Sequence, residues 1–338
     1  MKNSFMKEPE RMRALAQLIN SSDSILLFPH SKMDGDAAGS CGALCAALRN
    51  QGKQAYVFAD EVIPDNLKFL VKDFVTDDPR TLEQPDLCMA VDCGEAGRFE
   101  KRKDVFFRGH RLACLDHHEG GGQFDDAVCY VDPESASCGE LMFALLTEMG
   151  AEITPFMADA LYGAITTDTG NFRFSNAKKE THEIVARLYD CGLNHAAVCN
   201  EIYDNERIEK LRLHALAIAD MEMVAEGCAN IVCVTQEMLK KTGAEMWETE
   251  GLIDTMRSVA GVEISALLKE DEPEKIKISL RAKSYGEVLT IAGEFGGGGH
   301  RKAAGGTIRR PIGPAKEMVK DAICRWFQAQ KAEETKKE

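Results

Sequence analysis

The chain has 338 residues, 44% of them hydrophobic and 28% charged, which describes an ordinary globular protein with room for two cores. Its formal net charge of −14 and the lack of a basic stripe argue against a long nucleic acid as partner. No stretch of about 18 consecutive apolar residues could span a bilayer, and residues 1–10 lack the apolar core of a signal peptide, so a cytoplasmic location without a membrane partner is expected.

In chain order, residues 24–29 are an apolar run that predicts a buried strand ending at His30. Residues 35–50 predict a helix in which Ala37, Ala38, Gly39, Gly42, Ala43 and Ala46 permit close packing. Further strands are predicted at 54–58, 87–91 and 111–115, the last two running into Asp92 and into Asp116-His117-His118. Ser137-Cys138-Gly139-Glu140 has the form of a capping box opening a helix to Met149. Residues 155–166 predict a helix running into Asp168, and 180–191 an amphipathic helix stopped by Gly192. Strands alternating with helices imply an α/β fold, a doubly wound and mostly parallel sheet.

Residues 195–225 read as helical with few breakers, a candidate connector between domains. Strands are then predicted at 231–235, 262–268 and 275–282, with Pro273 turning between the last two, and a helix at 314–330 precedes a charged, frayed tail at 331–338. The expected organisation is a catalytic domain over 1–194, a helical connector over 195–228 and a smaller α/β domain over 229–330. The 12 cysteines form no Cys-x-x-Cys pair and read as reduced core residues, with Cys93 set apart because it follows Asp92. Lys101-Arg102-Lys103 reads as a solvated helix face, and His110, His182, His195 and His214 as ordinary.

The chemistry lies in four clusters: His30-Ser31-Lys32-Met33-Asp34-Gly35-Asp36, Asp92, Asp116-His117-His118 and Asp168-Thr169-Gly170. Each follows a short apolar run of the kind that forms a buried strand, and parallel strands deliver such residues to one sheet edge. A single His or Asp in such a place is most often a turn or helix cap; four together point to a metal pair that cleaves phosphate esters. Oxygen ligands mixed with imidazole suit Mn2+, with Mg2+, Co2+ and Zn2+ as competitors. His30, Asp34 and Asp36 share one loop, Asp92 is placed to bridge two ions, and His117 and Asp168 complete the second. In the C-terminal part, Gly296-Gly297-Gly298-Gly299-His300 exposes backbone N–H groups to a phosphate or base, and Arg281 can grip a phosphate in a bidentate way. Arg173 reads equally well as a phosphate contact or a surface ion pair.

These motifs, in this order, resemble the DHH phosphoesterases, and Gly296–His300 with Ala303-Ala304-Gly305 resembles the DHH-associated C-terminal domain, so the likeness covers roughly residues 20–310. It implies metal ligands His30, Asp34, Asp36, Asp92, His117 and Asp168, His118 facing the scissile phosphate, and Asp116 orienting a histidine. It also implies that the C-terminal domain, with Arg281, Gly297, Gly298, Gly299 and His300, holds the part of the substrate away from the metals. Met33 departs from the family, where proline often precedes the first Asp, but every ligand stays in place. The expected function is two-metal hydrolysis of short nucleotides: oligoribonucleotides of a few residues, pApA, or 3′-phosphoadenosine 5′-phosphate. Rival readings are a cyclic-di-AMP phosphodiesterase, an inorganic pyrophosphatase or exopolyphosphatase, a RecJ-like exonuclease disfavoured by length and charge, and a non-catalytic nucleotide sensor. A homodimer is compatible with the sequence.

Overall fold

The computed structural model describes residues 7–335 and divides into two units between Asn205 and Glu206. The first unit runs α1 (Pro9–Asn20), β1 (Ser24–Phe28), α2 (Gly35–Asn50), β2 (Gln54–Phe58), α3 (Lys68–Val71), β3 (Val75–Thr76) and β4 (Leu87–Val91). It continues through α4 (Lys103–Phe106), β5 (Arg111–Asp116), β6 (Ala127–Val131), α5 (Cys138–Glu148), α6 (Pro155–Asp168), α7 (Lys179–Asp190) and α8 (His195–Tyr203). Its six strands pair only in parallel, in the order β3-β2-β1-β4-β5-β6. The order reverses between β1 and β4, and in a doubly wound sheet that switch point opens a crevice beyond the strands' carboxyl ends.

Strand alternation builds the two layers of core. Ile25 and Leu27 of β1 face α2, α5 and α6 together with Met89, Val91, Ala113 and Leu115. Leu26 and Phe28 face the other way, into an aromatic cluster with Phe58, Phe99, Phe106 and Phe124. On the first face α2 is buried along nearly its whole length. A Cβ at Gly39 would stand 2.2 Å from the Ala160 carbonyl oxygen, and one at Gly35 would stand 2.5 Å from the Thr167 hydroxyl. Glycine therefore sets how closely α2 and α6 approach.

The second unit comprises α9 (Ile208–Ala219), β7 (Glu222–Val224), β8 (Ala229–Val234), α10 (Gln236–Thr242), α11 (Leu252–Arg257), β9 (Ile264–Glu272) and β10 (Lys275–Ala282). It ends with α12 (Val288–Gly293), β11 (Gly298–Gly299), β12 (Ala303–Ile308) and α13 (Ile312–Thr335). Its sheet has the order β11-β12-β10-β9-β8-β7 and is antiparallel except between β8 and β9. One face packs on α13 through Ile276, Ile278, Leu280, Val319 and Ile323, the other on α9 and α11 through Leu213, Val232, Leu252 and Leu267.

Strands β2, β4 and β10 and helix α2 lie where the sequence places them. Residues 195–225 are not one helical run: α8 and α9 are separated at Asp204–Arg207, and β7 begins at Glu222. Helix α13 continues past Gln330 through Thr335, so only the last three residues of the expected frayed tail, like the first six residues of the N-terminus, fall outside the described residues.

Adding a methyl group at Gly39 drives its Cβ against backbone atoms of α6, which no side-chain rotation relieves. Alanine otherwise favours a helix by up to about 1 kcal/mol over glycine, so the clash decides the sign. Gly39→Ala should lower stability by about 2 kcal/mol or more in urea unfolding. Gly97→Ala, which meets nothing within 4 Å, should stay within about 0.5 kcal/mol of wild type.

Candidate metal centre

The strand ends at the switch point carry the first donors. His30 follows β1 by two residues, Asp92 follows β4 directly, and His117 follows β5 directly. Asp92 has φ +55°, a left-handed conformation that Asp tolerates better than most residues. Its Oδ2 lies 3.5 Å from His30 Nε2, and its Oδ1 lies 3.5 Å from His117 Nε2 and 3.6 Å from His118 Nδ1.

Helices supply the rest. Asp34 caps α2, accepting from the Ala37 N–H at 3.0 Å through Oδ1 while Oδ2 sits 3.4 Å from His30 Nε2. Asp36, in the first turn of α2, accepts from the Cys138 and Gly139 N–H groups at 2.7 and 2.9 Å, at the start of α5, and its Oδ2 lies 3.5 Å from His117 Nε2. Asp168 follows the helix predicted over 155–166, and not a strand as the grouping of its cluster with the others implied. It is the last residue of α6, and its Oδ2 lies 3.7 Å from His117 Nε2. The Gly35–Thr167 contact is what brings the ends of α2 and α6 together, and with them the neighbouring Asp36 and Asp168.

The tautomers follow from the hydrogen bonds. His30 Nδ1 faces the Ser31 carbonyl at 2.8 Å and His117 Nδ1 faces the Ser135 carbonyl at 3.3 Å. A carbonyl only accepts, so each Nδ1 donates and each Nε2 is the ring atom turned toward carboxylate oxygens. His118 Nδ1 donates instead to Asp116 Oδ1 at 2.8 Å, an oxygen that also accepts from the His117 N–H at 2.9 Å.

Charge crowding is visible throughout. Burial and the neighbouring Asp92, Asp168 and Asp34 charges push Asp36 well above the usual carboxylate range. Burial also raises Asp92, and with the Asp92 and Asp34 charges it carries Asp168 to about 6. For His30 burial works the other way, yet Asp34 and Asp92 lift it to about 10. The bond to Asp116 raises His118, and the same bond keeps Asp116 low despite its burial.

This donor set fits divalent cations. Ligand atoms gather in three groups, each within 4.8 Å: His30, Asp34 and Asp92; Asp36, His117 and Asp168; and Asp92, His117 and His118. His30 Nε2 and Asp92 Oδ1 are buried without a hydrogen-bond partner among the described residues. Held toward carboxylate oxygens, Nε2 of His30 is satisfied either by its own proton, as the raised His30 value has it, or by a cation that displaces that proton.

Sequence reasoning passed over Arg98, whose Nη1 lies 3.4 Å from both ring nitrogens of His118. It follows Asp92 by six residues on a 3-10 turn (Ala96–Arg102) and belongs to no periodic pattern. Arg102, read as part of a solvated face, is only 3% exposed; it pairs with Asp60 at 3.2 Å and donates to the Phe58 carbonyl at 2.8 Å. An arginine within a charged triplet cannot be told from its exposed neighbours by composition. Cys93 is buried, and burial pushes its thiol up to about 12, which makes it inert. Arg173 donates to the Gly170 carbonyl at 2.8 Å and is exposed, and His214 Nε2 bonds the Glu248 carbonyl at 2.9 Å.

In the second unit Arg281 lies on β10 opposite Ala303 of β12, half-buried, its Nη1 donating to the Leu280 carbonyl at 3.1 Å. The glycine run is structured. Gly298–Gly299 form β11, and a Cβ at Gly297 would stand 2.1 Å from the Gly305 carbonyl oxygen. His300 closes a tight turn with Ala303 through two backbone bonds of 2.7 and 3.2 Å and is exposed.

A parallel sheet with a carboxylate–imidazole cluster at its switch point defines a divalent-metal protein. Residues 24–165 match the DHH family, N-terminal domain, and residues 230–329 match the DHHA1 domain; the chain belongs to the DHH family. It is 31% identical to the bifunctional oligoribonuclease and PAP phosphatase NrnA of Thermus thermophilus, over 93% of this chain and 94% of that protein. Against the protein of the same name from Bacillus subtilis the identity is 24%, over 87% and 92%. The crystal structure of an exopolyphosphatase-related protein from Bacteroides fragilis superimposes with a TM-score of 0.87 at 26% identity, covering 96% of this chain and 98% of that one.

The raised carboxylates give the metal-free protein a pH signature. A carboxyl held above its unfolded value contributes stability below that value, near 4, and loses it as pH rises through the folded value. Asp36, Asp92 and Asp168 all run this way, and His30 and His118, raised as well, also lose stability above about 6.5. After chelation the protein should therefore melt at a higher temperature at pH 5.5 than at pH 7.5. Scanning calorimetry showing the opposite order would contradict the crowding.

Proposed function

We propose that this protein is a two-metal phosphoesterase acting on short nucleotides: oligoribonucleotides of a few residues, pApA, or 3′-phosphoadenosine 5′-phosphate. The observation that carries the reading is that Asp92 belongs to two of the three donor groups, facing His30 through Oδ2 and His117 and His118 through Oδ1, while His117 links it to the third. In this reading His30, Asp34 and Asp92 would hold one ion and Asp36, His117 and Asp168 the second, with Asp92 lying between the two sets. Mn2+ is preferred on ligand chemistry. When bound, the ions supply Lewis acidity and make water a competent nucleophile at neutral pH.

The chain's own residues do the rest. Asp116 holds the His118 Nδ1 proton, so Nε2 is the ring atom left to meet a phosphate oxygen. The His118 side chain is 40% exposed while that of Asp92 is 2% exposed, so His118 stands at the rim. Glycines at 94 and 121 let the backbone close on Asp116, since a Cβ at either would lie 2.4 or 2.3 Å from its Oδ2. Arg281 and the turn at His300 are read as the holders of the distal nucleotide. The names of the two curated relatives support the same substrate class. The net charge of −14 favours substrates too short to need a basic track, and no helix among the described residues is long and apolar enough to cross a membrane.

The direct test is a substrate panel on the Mn2+-loaded protein: 3′-phosphoadenosine 5′-phosphate, pApA, an RNA ladder from 2-mer to 24-mer, cyclic-di-AMP and pyrophosphate. Turnover should favour chains of about two to five nucleotides, because longer ones add repulsion without contacts. Hydrolysis of pyrophosphate alone, or of the 24-mer as fast as the 2-mer, sinks the reading. Asp92→Asn should reduce kcat more than about tenfold, or 1.4 kcal/mol of barrier, in a protein that still folds.

The proposed division of labour has its own test. Arg281→Ala and His300→Ala should raise KM for pApA with little change in kcat, the pattern left by lost uniform binding. Hydrolysis of bis-p-nitrophenyl phosphate, which has no distal nucleotide, should stay near wild type. A proportional loss on both substrates would place the C-terminal turn in the chemical step.

A further inference from the structure

We propose that Arg98 is a catalytic phosphate-binding residue, gripping the non-bridging oxygens of the scissile phosphate beside His118; the proposal rests on the phosphoesterase reading above. Its chemistry stands out from the surroundings. In a cluster of carboxylates and imidazoles it places a guanidinium at the rim, with Nη1 3.4 Å from each His118 ring nitrogen and 3.5 Å from the Asp92 carbonyl oxygen. An atom equidistant from both ring nitrogens lies along neither lone pair, so the contact with His118 is packing rather than a directed hydrogen bond. Arg98 makes no ion pair with a carboxylate among the described residues, in contrast to Arg102, which pairs with Asp60. Its only protein carbonyl acceptor among those residues is that of Asp92, at the outer limit of hydrogen-bond distance. A guanidinium carries five N–H donors in a planar fork, a geometry that matches two oxygens of a phosphate.

The backbone that carries this side chain is held on three sides. The Ser31 N–H donates to the Arg98 carbonyl at 2.7 Å, tying the turn to the loop after His30. Phe99, the next residue, is fully buried among Phe28, Phe106 and Phe124. Arg102 fixes the end of the same turn through Asp60, the Phe58 carbonyl and the Ser31 hydroxyl. The chain thus anchors the turn in the core and leaves the half-buried guanidinium at its rim beside His118. Rigid placement of a charged donor before substrate arrives is what lets such a group favour the transition state.

The test uses the full chain with Mn2+ bound, as wild type, Arg98→Ala and Arg98→Lys. Melting temperature and Mn2+ content should match wild type in both variants. For Arg98→Ala, kcat/KM should fall about 100-fold on pApA and on bis-p-nitrophenyl phosphate alike, as for loss of one preorganised donor. Arg98→Lys, which keeps the charge without the fork, should fall between the two. Added guanidinium chloride should restore turnover to Arg98→Ala, an effect a merely supporting residue would not show. Calorimetric titration with inorganic phosphate should show binding about tenfold weaker in Arg98→Ala. Turnover within threefold of wild type would overturn the role of Arg98 and leave the phosphoesterase reading intact. Loss of Mn2+ or of melting temperature in both variants would make Arg98 a prop for the site and also overturn it. If wild type cleaves no phosphoester, that reading fails, and the phosphate titration still decides Arg98: unchanged affinity, or no binding to wild type, overturns it.

Discussion

The contact between α2 and α6 is the constraint on which the site depends. Gly35 and Gly39 bring the two helices together until only hydrogen separates them from Thr167 and Ala160. That approach sets a carboxylate from the start of one helix beside a carboxylate from the end of the other. Their electrostatic settings differ. Asp36 lies in the first turn of α2 and accepts two N–H groups at the start of α5, so two positive helix ends act on it. Asp168 lies at the negative end of α6, where the helix disfavours its charge. Glycine packing thus forces together groups that repel, and helix ends compensate for only one of them.

The histidines answer the remaining imbalance through their backbone bonds. Carbonyls of Ser31 and Ser135 fix two imidazoles with Nε2 inward, and Asp116 fixes the third with Nδ1 occupied. Ser135 is itself held, its hydroxyl donating to Glu140 at 2.8 Å, and Glu140 also takes the Ala136 N–H at 2.9 Å. Ring orientation is therefore decided by groups that face away from the cluster.

Much of this was legible in the sequence because it rests on local signals. Apolar runs marked β1, β2, β4 and β5, and residues just beyond β1, β4 and β5 are the donors His30, Asp92 and His117. Small residues announced the tight packing of α2 without saying against what. The partner, α6, was recognised as a helix, yet the motif at Asp168 was grouped with strand ends because short apolar runs look alike in either state. Helix α1 was missed although Met12, Leu15, Ala16 and Ile19 are buried at helical spacing after Pro9; the charged residues between them obscured the stripe. Strand β6, with Cys129 and Tyr130, was passed over although Gly120-Gly121-Gly122 and Asp125-Asp126 precede it and Asp132-Pro133 follows it, turn signals that bracket a short apolar run. Arg98 and Arg102 were illegible for a different reason. Their roles follow from where a single 3-10 turn sits against the His30 loop, and nothing in composition or period encodes that placement.

Every strand pair in the first sheet is parallel, so each requires a crossover before it can close. The donors come from His30 to Asp168, more than a third of the chain, and only those of the His30–Asp36 loop and the His117-His118 pair are near neighbours along it. Loop closure must precede the contacts that reward it. A nascent or unfolded chain therefore presents an ion with isolated carboxylates and scattered imidazoles, and the full donor set appears only once β4, β5 and α6 have docked. For a divalent ion the cluster would be a destination and not a nucleus: binding only the finished fold, it would add stability to a structure that packing had already assembled.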